Sequence, residues 1–160
     1  MVENNKTIII KLIFIISVIA LASAFFIEYI LGHQPCNLCI LERIPYLLAI
    51  IIITLNYKFI HIEKHLMLLL ILIFLTATIL SLYHLGIEQG FFEESLVCDL
   101  KNGSNLLSKE EILKQLQEKN VSCKDVTFKI FGLSLTSYNI LISLLICIST
   151  GKIYFDYGKN

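Results

Sequence analysis

The stretch LMLLLILIFLTATILSLYHL, residues 66–85, decides the fold class of this chain. Its hydrophilic residues are Thr76, Thr78, Ser81 and His84, and leucine and isoleucine supply most of the rest. Twenty helical residues rise about 30 Å, which is the thickness of a bilayer's hydrocarbon core. The stretch therefore predicts a helix that crosses a membrane.

Three further apolar blocks cover residues 8–31, 44–60 and 133–150, the last of which is the most polar. The whole chain is 56% hydrophobic and 16% charged, well outside the usual composition of soluble domains. We therefore predict an all-α membrane protein, with residues 1–160 forming a single integral membrane domain. Its architecture is expected to be a four-transmembrane-helix bundle, with two cysteine-bearing loops at about 32–43 and 86–132.

The net charge argues against a nucleic-acid-binding protein, and the N-terminal segment resembles a cleaved signal peptide. The formal net charge is zero, so nothing attracts nucleic acid. Residues 22–24 (Ala-Ser-Ala) imitate a signal-peptide cleavage site after Lys6 and Lys11, but the apolar run continues through residues 25–27. We expect this segment to be retained as the first span.

An even number of spans places both termini on one side of the membrane and both cysteine loops on the other. Basic residues number six on the terminal side and seven on the loop side, so their count does not decide orientation. Their density is higher in the short segments of the terminal side. We therefore predict cytoplasmic termini and extracytoplasmic cysteine loops.

The cysteines indicate the chemistry. Cys36, Cys39, Cys98 and Cys123 lie in the two loops, whereas Cys147 lies in the fourth span. A C-x-x-C motif suits a reversible disulfide or, with Cys98 and Cys123, a zinc site, although that spacing is unusual for zinc. Structural disulfides are the further alternative. A bridge across two intervening residues stabilises little, and a helix N-terminus favours thiolate, so we predict redox function for Cys36 and Cys39.

Two other residues are candidates for the site. Arg43 follows Cys39 by four residues and, if both are helical, shares its face and can stabilise a thiolate or hold an acceptor's carbonyl oxygen. The alternative is an ordinary interfacial arginine, and Pro45 weakens the shared face if regular helix starts as late as Ile44. His84 lies near the end of the third span, four residues before Glu88, and is either functional or simply solvated.

In the long loop, residues 108–119 read as a short amphipathic helix. Ser108 and Glu111 have capping-box spacing, and Leu107 and Ile112 have hydrophobic-staple spacing. Such a helix would lie on the membrane surface or on the other loop, or would act as a spacer.

Three stretches together resemble the DsbB family of bacterial inner-membrane disulfide-forming proteins. They are PCNLCILERIPY (35–46), YHLGIEQGFF (83–92) leading to Cys98, and Cys123 followed by FGLSLTSYN (131–139). The resemblance extends over about residues 26–143. It implies a thiol:quinone oxidoreductase with both cysteine pairs in the periplasm, which also agrees with the orientation favoured above.

The resemblance also implies a role for each site residue. Cys98 would be attacked by a DsbA-like dithiol partner, Cys123 would link transiently to Cys36, and Cys39 would lie nearest to a ubiquinone or menaquinone. Arg43 matches the quinone-side arginine, and His84 matches a quinone-side histidine less closely. In the resting state the expected disulfides are Cys36–Cys39 and Cys98–Cys123, with Cys147 free. No metal is expected. The alternatives left open are a non-catalytic four-span scaffold with structural disulfides and a thiolate metal-binding membrane protein.

Overall fold

A computed structural model describes residues 2–58, 63–93, 122–124 and 128–157 of the chain. Its elements are α1 (Val2–Tyr29), α2 (Asn37–Leu41), α3 (Ile44–Lys58), α4 (Glu63–Glu88), β1 (Lys129–Ile130), β2 (Leu133–Ser134) and α5 (Leu135–Tyr157). The amphipathic helix predicted for residues 108–119 lies outside the described residues.

Four helical stretches are long and apolar enough to cross a membrane: Thr7–Tyr29, Asn37–Leu55, Lys64–Glu88 and Leu135–Phe155. Their outward side chains are mostly leucine, isoleucine and phenylalanine, as a hydrocarbon environment requires. The predicted four-helix membrane architecture is therefore confirmed.

The helix bounds differ from the predicted spans where polar residues continue or interrupt a helix. α4 extends past Leu85 to Glu88, which adds almost one turn at the cysteine-bearing end. The last span begins with Leu135 rather than residue 133, because residues 133–134 pair with 129–130 in a short antiparallel hairpin. Phe131 and Gly132 both have positive φ, as a two-residue hairpin turn of type I′ requires.

The second apolar block is preceded by a break in the helix. α2 ends at Leu41, Glu42 and Arg43 form a turn, and α3 begins at Ile44 with Pro45 in its first turn. Proline is tolerated there because a first-turn N–H has no intrahelical partner. Cys39 and Arg43 consequently do not lie on one continuous helix, and the predicted shared face is wrong.

The bundle core is apolar, and several of its hydroxyl groups are satisfied within their own helices. α4 packs most extensively on α5, while α3 contacts both α1 and α4. Phe74 and Ala49 lie fully buried at the centre of the cluster. Ser17 donates to the Ile13 carbonyl at 2.8 Å and Thr78 to the Phe74 carbonyl at 2.7 Å. Such back-bonding lets hydroxyls lie inside a membrane protein without unpaired donors.

Candidate functional site

The C-x-x-C motif forms a reduced dithiol at one end of the bundle. Cys36 caps the N-terminus of α2 and its Sγ accepts a hydrogen bond from the Cys39 N–H at 3.3 Å. The two thiols are free and their Sγ atoms lie 2.8 Å apart. The resting Cys36–Cys39 disulfide implied by the resemblance is thus absent from this structure. A disulfide bond is about 2.05 Å long, so only a small side-chain movement separates the two redox states.

His84 lies next to the dithiol, in contact with Cys36. Its Nε2 is 3.5 Å from the Cys36 Sγ, and its Nδ1 is 2.9 Å from Glu42 Oε1. The ring is fully enclosed, with 1% of the side chain exposed. Both ring nitrogens therefore contact protein groups, and His84 faces Cys36 rather than the lipid-exposed surface.

Glu42 is held in place by a buried polar network. Asn139 of α5 donates to Glu42 Oε2 at 3.1 Å and to the Ser81 hydroxyl at 2.8 Å. The Tyr46 hydroxyl donates to the Asn139 side-chain oxygen. Residues from α3, α4 and α5 thus fix the carboxylate of Glu42, which lies in the α2–α3 turn. Because its partners come from so many elements, the orientation of Glu42 depends on the assembled bundle.

A second carboxylate, that of Glu88, approaches the His84 ring nitrogen that also faces Cys36. Its Oε1 accepts a hydrogen bond from Thr136 at 2.5 Å and lies 3.8 Å from His84 Nε2. Its Oε2 is buried and has no hydrogen-bond partner among the described residues. The site consequently contains one buried carboxylate oxygen that the protein does not satisfy.

Arg43 lies at the edge of the site and points towards α1. Its guanidinium is 2.5 Å from Glu28 and stacks over the Phe25 ring at 5.3 Å from the ring centre. The side chain remains 18% exposed. The structure therefore directs Arg43 to Glu28 and Phe25 of α1, in place of the direct contact with the Cys39 thiolate suggested by the sequence spacing.

Of the other cysteines, Cys123 is the one brought to the dithiol. It is disulfide-bonded and packs in one buried cluster with Cys36, Leu38 and Ile87. Cys98 lies outside the described residues. Cys147 is a free, partly buried thiol in α5 near the Ile71 carbonyl, at 3.9 Å. The expectation of a free Cys147 agrees with the structure.

The surroundings of Cys36 favour its thiolate. The hydrogen bond from Cys39 is the largest influence, and the hydrogen bond and charge of His84 add to it against the opposing effect of burial. Together they lower the pKa of Cys36 from 9.0 to about 5. A low-pKa cysteine is both a populated nucleophile at neutral pH and a good leaving group in disulfide exchange.

We therefore expect the reduced protein to contain a Cys36 thiolate well below the pH at which ordinary thiols ionise. Its thiolate ultraviolet absorbance should rise as pH increases through about 5 and be near its plateau at neutral pH. The measurement is a pH titration of the reduced protein, with Cys36→Ser as the reference that lacks the transition. A single transition near the ordinary thiol pKa of about 8.5 would contradict the assignment.

Cys36, Cys39 and His84 are also residue types that bind metal ions. The donor atoms of Cys36, Cys39 and His84 lie within 4.8 Å of one another. Two thiolates bound to one tetrahedral zinc at about 2.3 Å would be separated by about 3.8 Å. The observed sulfur separation of 2.8 Å is much shorter. This spacing suits sulfur–sulfur chemistry better than metal coordination.

Four membrane-spanning helices that bring a C-x-x-C dithiol, a histidine and a disulfide-bonded cysteine together define a membrane thiol–disulfide oxidoreductase. Comparison with known families gives the assignment. Residues 6–152 match the family model "Disulfide bond formation protein DsbB", and the chain belongs to this family.

A related sequence is known from a bacterium. The chain is 33% identical to "Uncharacterized protein RP370" of Rickettsia prowazekii (strain Madrid E) over 165 aligned positions, covering 99% of this chain and 94% of the relative. No solved structure is significantly similar to this chain. Family membership supports a general role in disulfide bond formation.

Sequence reasoning missed Glu42, Asn139 and Thr136 as parts of the site, and it treated Glu88 only as a neighbour of His84. One signal was available, because polar residues inside apolar spans tend to face the bundle interior and to pair with one another. The unusual polarity of the fourth span, residues 133–150, is that signal.

Proposed function

We propose that this protein reoxidises a periplasmic, DsbA-like dithiol partner and passes the electrons to a membrane quinone. The main support for this proposal is that Cys123 and the Cys36–Cys39 dithiol lie in one buried cluster, with His84 against Cys36. Thiol–disulfide exchange requires one sulfur to reach another, and this cluster provides that proximity.

The proposed exchange proceeds in four transfers. The partner thiolate attacks Cys98 and releases Cys123, whose thiolate attacks Cys36 of the oxidised C-x-x-C pair and releases Cys39. The partner's second thiol then resolves the mixed disulfide, and Cys98 recloses on Cys123 with Cys36 as leaving group. The partner has become a disulfide, and Cys36 and Cys39 hold the two electrons.

A low pKa at Cys36 supports this order. Exchange is faster when the departing sulfur is a stable thiolate, and Cys36 is the leaving group of the last transfer. The pair found in this structure, free and with sulfur atoms 2.8 Å apart, corresponds to the state that is ready to be reoxidised.

The groups at the edge of the site fit a quinone. Arg43 presents a planar fork of five N–H donors, of which Nη1 bonds Glu28, so other donors remain for a carbonyl oxygen. Phe25 beside it offers an aromatic face. A bound ubiquinone or menaquinone would supply the two-electron, two-proton acceptor chemistry, with Arg43 holding an oxygen and Cys39 nearest to the ring. A contact between His84 and the quinone stays a prediction from the resemblance.

The proposed location follows from the same chemistry. The protein would lie in the bacterial inner membrane with cytoplasmic termini, so that both cysteine loops are in the oxidising periplasm. Besides the partner protein, the site would then exchange with the quinone pool of the lipid bilayer.

The test combines purified protein, a soluble quinone and a reduced thioredoxin-fold partner without oxygen. We expect one quinol for each partner disulfide formed, and no quinol when either the protein or the partner is omitted. If both cysteine pairs stay oxidised and no quinol appears, the proposal fails, and a scaffold with structural disulfides becomes the better account. Metal that copurifies with the thiols and blocks their alkylation would favour the metal-binding alternative.

A further inference from the structure

The hydrogen bonds around His84 assign its proton. Nδ1 faces Glu42 Oε1 at 2.9 Å, and a carboxylate oxygen accepts but does not donate. Nδ1 therefore carries a hydrogen, and Nε2 is the nitrogen that faces the Cys36 sulfur, at 3.5 Å. A histidine oriented in this way can hold the proton that Cys36 gives up when it becomes a thiolate.

Glu42 keeps the histidine in that orientation. Its second oxygen is fixed by Asn139 at 3.1 Å, and 9% of its side chain is exposed. When His84 gains a proton, Glu42 also provides the negative charge that stabilises the imidazolium. Glu42 does not touch the reacting sulfurs and acts through His84, so it is a positioning residue.

Glu88 can receive the proton from the histidine. It is one helical turn after His84, its side chain is 6% exposed, and its Oε1 lies 3.8 Å from Nε2. Its Oε2 lacks a donor among the described residues, and an unsatisfied buried carboxylate oxygen is costly. A proton arriving from His84 would neutralise this charge, which gives the transfer a physical reason.

We propose that Glu42, His84 and Glu88 form a buried proton-transfer chain for Cys36, in which Glu42 positions the histidine and Glu88 receives the proton. The proposal rests on the proposed function, because it assigns a path within the same oxidation. The titratable groups that face the ring, in the described parts of the chain, are Cys36, Cys39, Glu42 and Glu88. The neutral hydroxyl of Thr136 also lies beside the His84 ring.

The oxidation balances with this path included. The Cys39 S–H bond breaks and one S–S bond forms between the Cys36 thiolate and Cys39, which releases two electrons and the Cys39 proton. Both electrons pass to the quinone. The proton that Cys36 gave up is held at His84 Nε2 and moves to Glu88, and after it leaves Glu88 it and the Cys39 proton supply the two protons that the quinol requires.

The test is single-turnover oxidation of the reduced protein by a soluble quinone across a range of pH. Glu42→Gln should slow oxidation at neutral pH by about tenfold or more, as part of the roughly 10²- to 10⁴-fold that a positioned base contributes. Raising the pH should restore the rate, because the thiol then ionises without help. A merely structural defect would not be rescued by pH.

Glu88→Gln should affect the proton transfer from His84 to Glu88 without affecting the transfer between Cys36 and His84. We expect the Cys36 thiolate absorbance to titrate as in the unmodified protein, whereas oxidation slows and its solvent deuterium isotope effect increases. Glu93→Gln is the matched control, since Glu93 is an exposed carboxylate five residues later and outside the network. It should oxidise at the rate of the unmodified protein.

Two outcomes would overturn the chain. One is an unchanged rate, pH profile and isotope effect in Glu88→Gln, and the other is a loss in Glu42→Gln that high pH does not recover. If the unmodified protein itself is not oxidised by quinone, the proposed function fails instead, so the two failures are distinguishable.

Discussion

Replacement of Cys39 by alanine is expected to reduce quinone-dependent turnover to the uncatalysed background. Cys36 then has no partner 2.8 Å away with which to form the disulfide that releases two electrons. The remaining Cys36 thiolate should instead attack Cys123, its neighbour in the buried cluster, and a Cys36–Cys123 disulfide should accumulate. Quinol formation and peptide mapping without reduction measure the two effects.

Cysteine variants elsewhere provide the controls for this result. Cys36→Ala should also abolish turnover but cannot form the trapped disulfide. Cys147→Ala should behave like the unmodified protein, because Cys147 lies within α5 and contacts α4 rather than the dithiol. Retained turnover in Cys39→Ala, or a trapped disulfide that includes Cys147, would contradict the assigned electron path.

Replacement of Arg43 by alanine should slow quinone reduction or weaken quinone binding by about 10- to 150-fold. This range corresponds to the loss of one charge-assisted hydrogen bond, roughly 1.5–3 kcal/mol. Arg43→Lys should be a partial rescue, since an ammonium keeps the charge but loses the planar fork. Exchange between the partner dithiol and the Cys98–Cys123 pair should be nearly unchanged, because it requires no quinone.

The ion pair with Glu28 supplies the matched control. If Arg43 merely ties the α2–α3 turn to α1, Glu28→Gln should cause a loss similar to that of Arg43→Ala, because either change removes the ion pair. If Arg43 holds a quinone oxygen, Glu28→Gln should have the smaller effect on quinone reduction. Stopped-flow reduction of quinone by the two prereduced variants makes this comparison. Equal losses would make Arg43 a structural residue.

The spans and the cysteine chemistry were predictable from sequence because each depends on local pattern. A run such as residues 66–85 must be helical in a membrane, where backbone groups find no water. The C-x-x-C spacing likewise places two sulfurs within reach of one another whatever the rest of the fold. The four-helix architecture and the family both followed from such features.

The polar network was not predictable, because it depends on how distant elements meet. Glu42 and His84 are 42 residues apart and belong to different elements. Their contact depends on the helix break at Glu42 and Arg43. The break changes the directions of the Glu42 and Arg43 side chains relative to those in a continuous helix. The extension of α4 to Glu88 likewise follows from tertiary packing, with Thr136 of the neighbouring helix holding the added turn in place.

The most direct test of the central claim, that Cys36 and Cys39 deliver electrons to quinone, is a single turnover without oxygen or partner. Reduced protein would be mixed with one equivalent of a soluble quinone, and the free thiols mapped by alkylation and mass spectrometry. We expect one quinol per protein, together with loss of the Cys36 and Cys39 thiols to a mutual disulfide while Cys147 stays alkylated. Quinone that remains oxidised while Cys36 and Cys39 stay fully alkylated would contradict it.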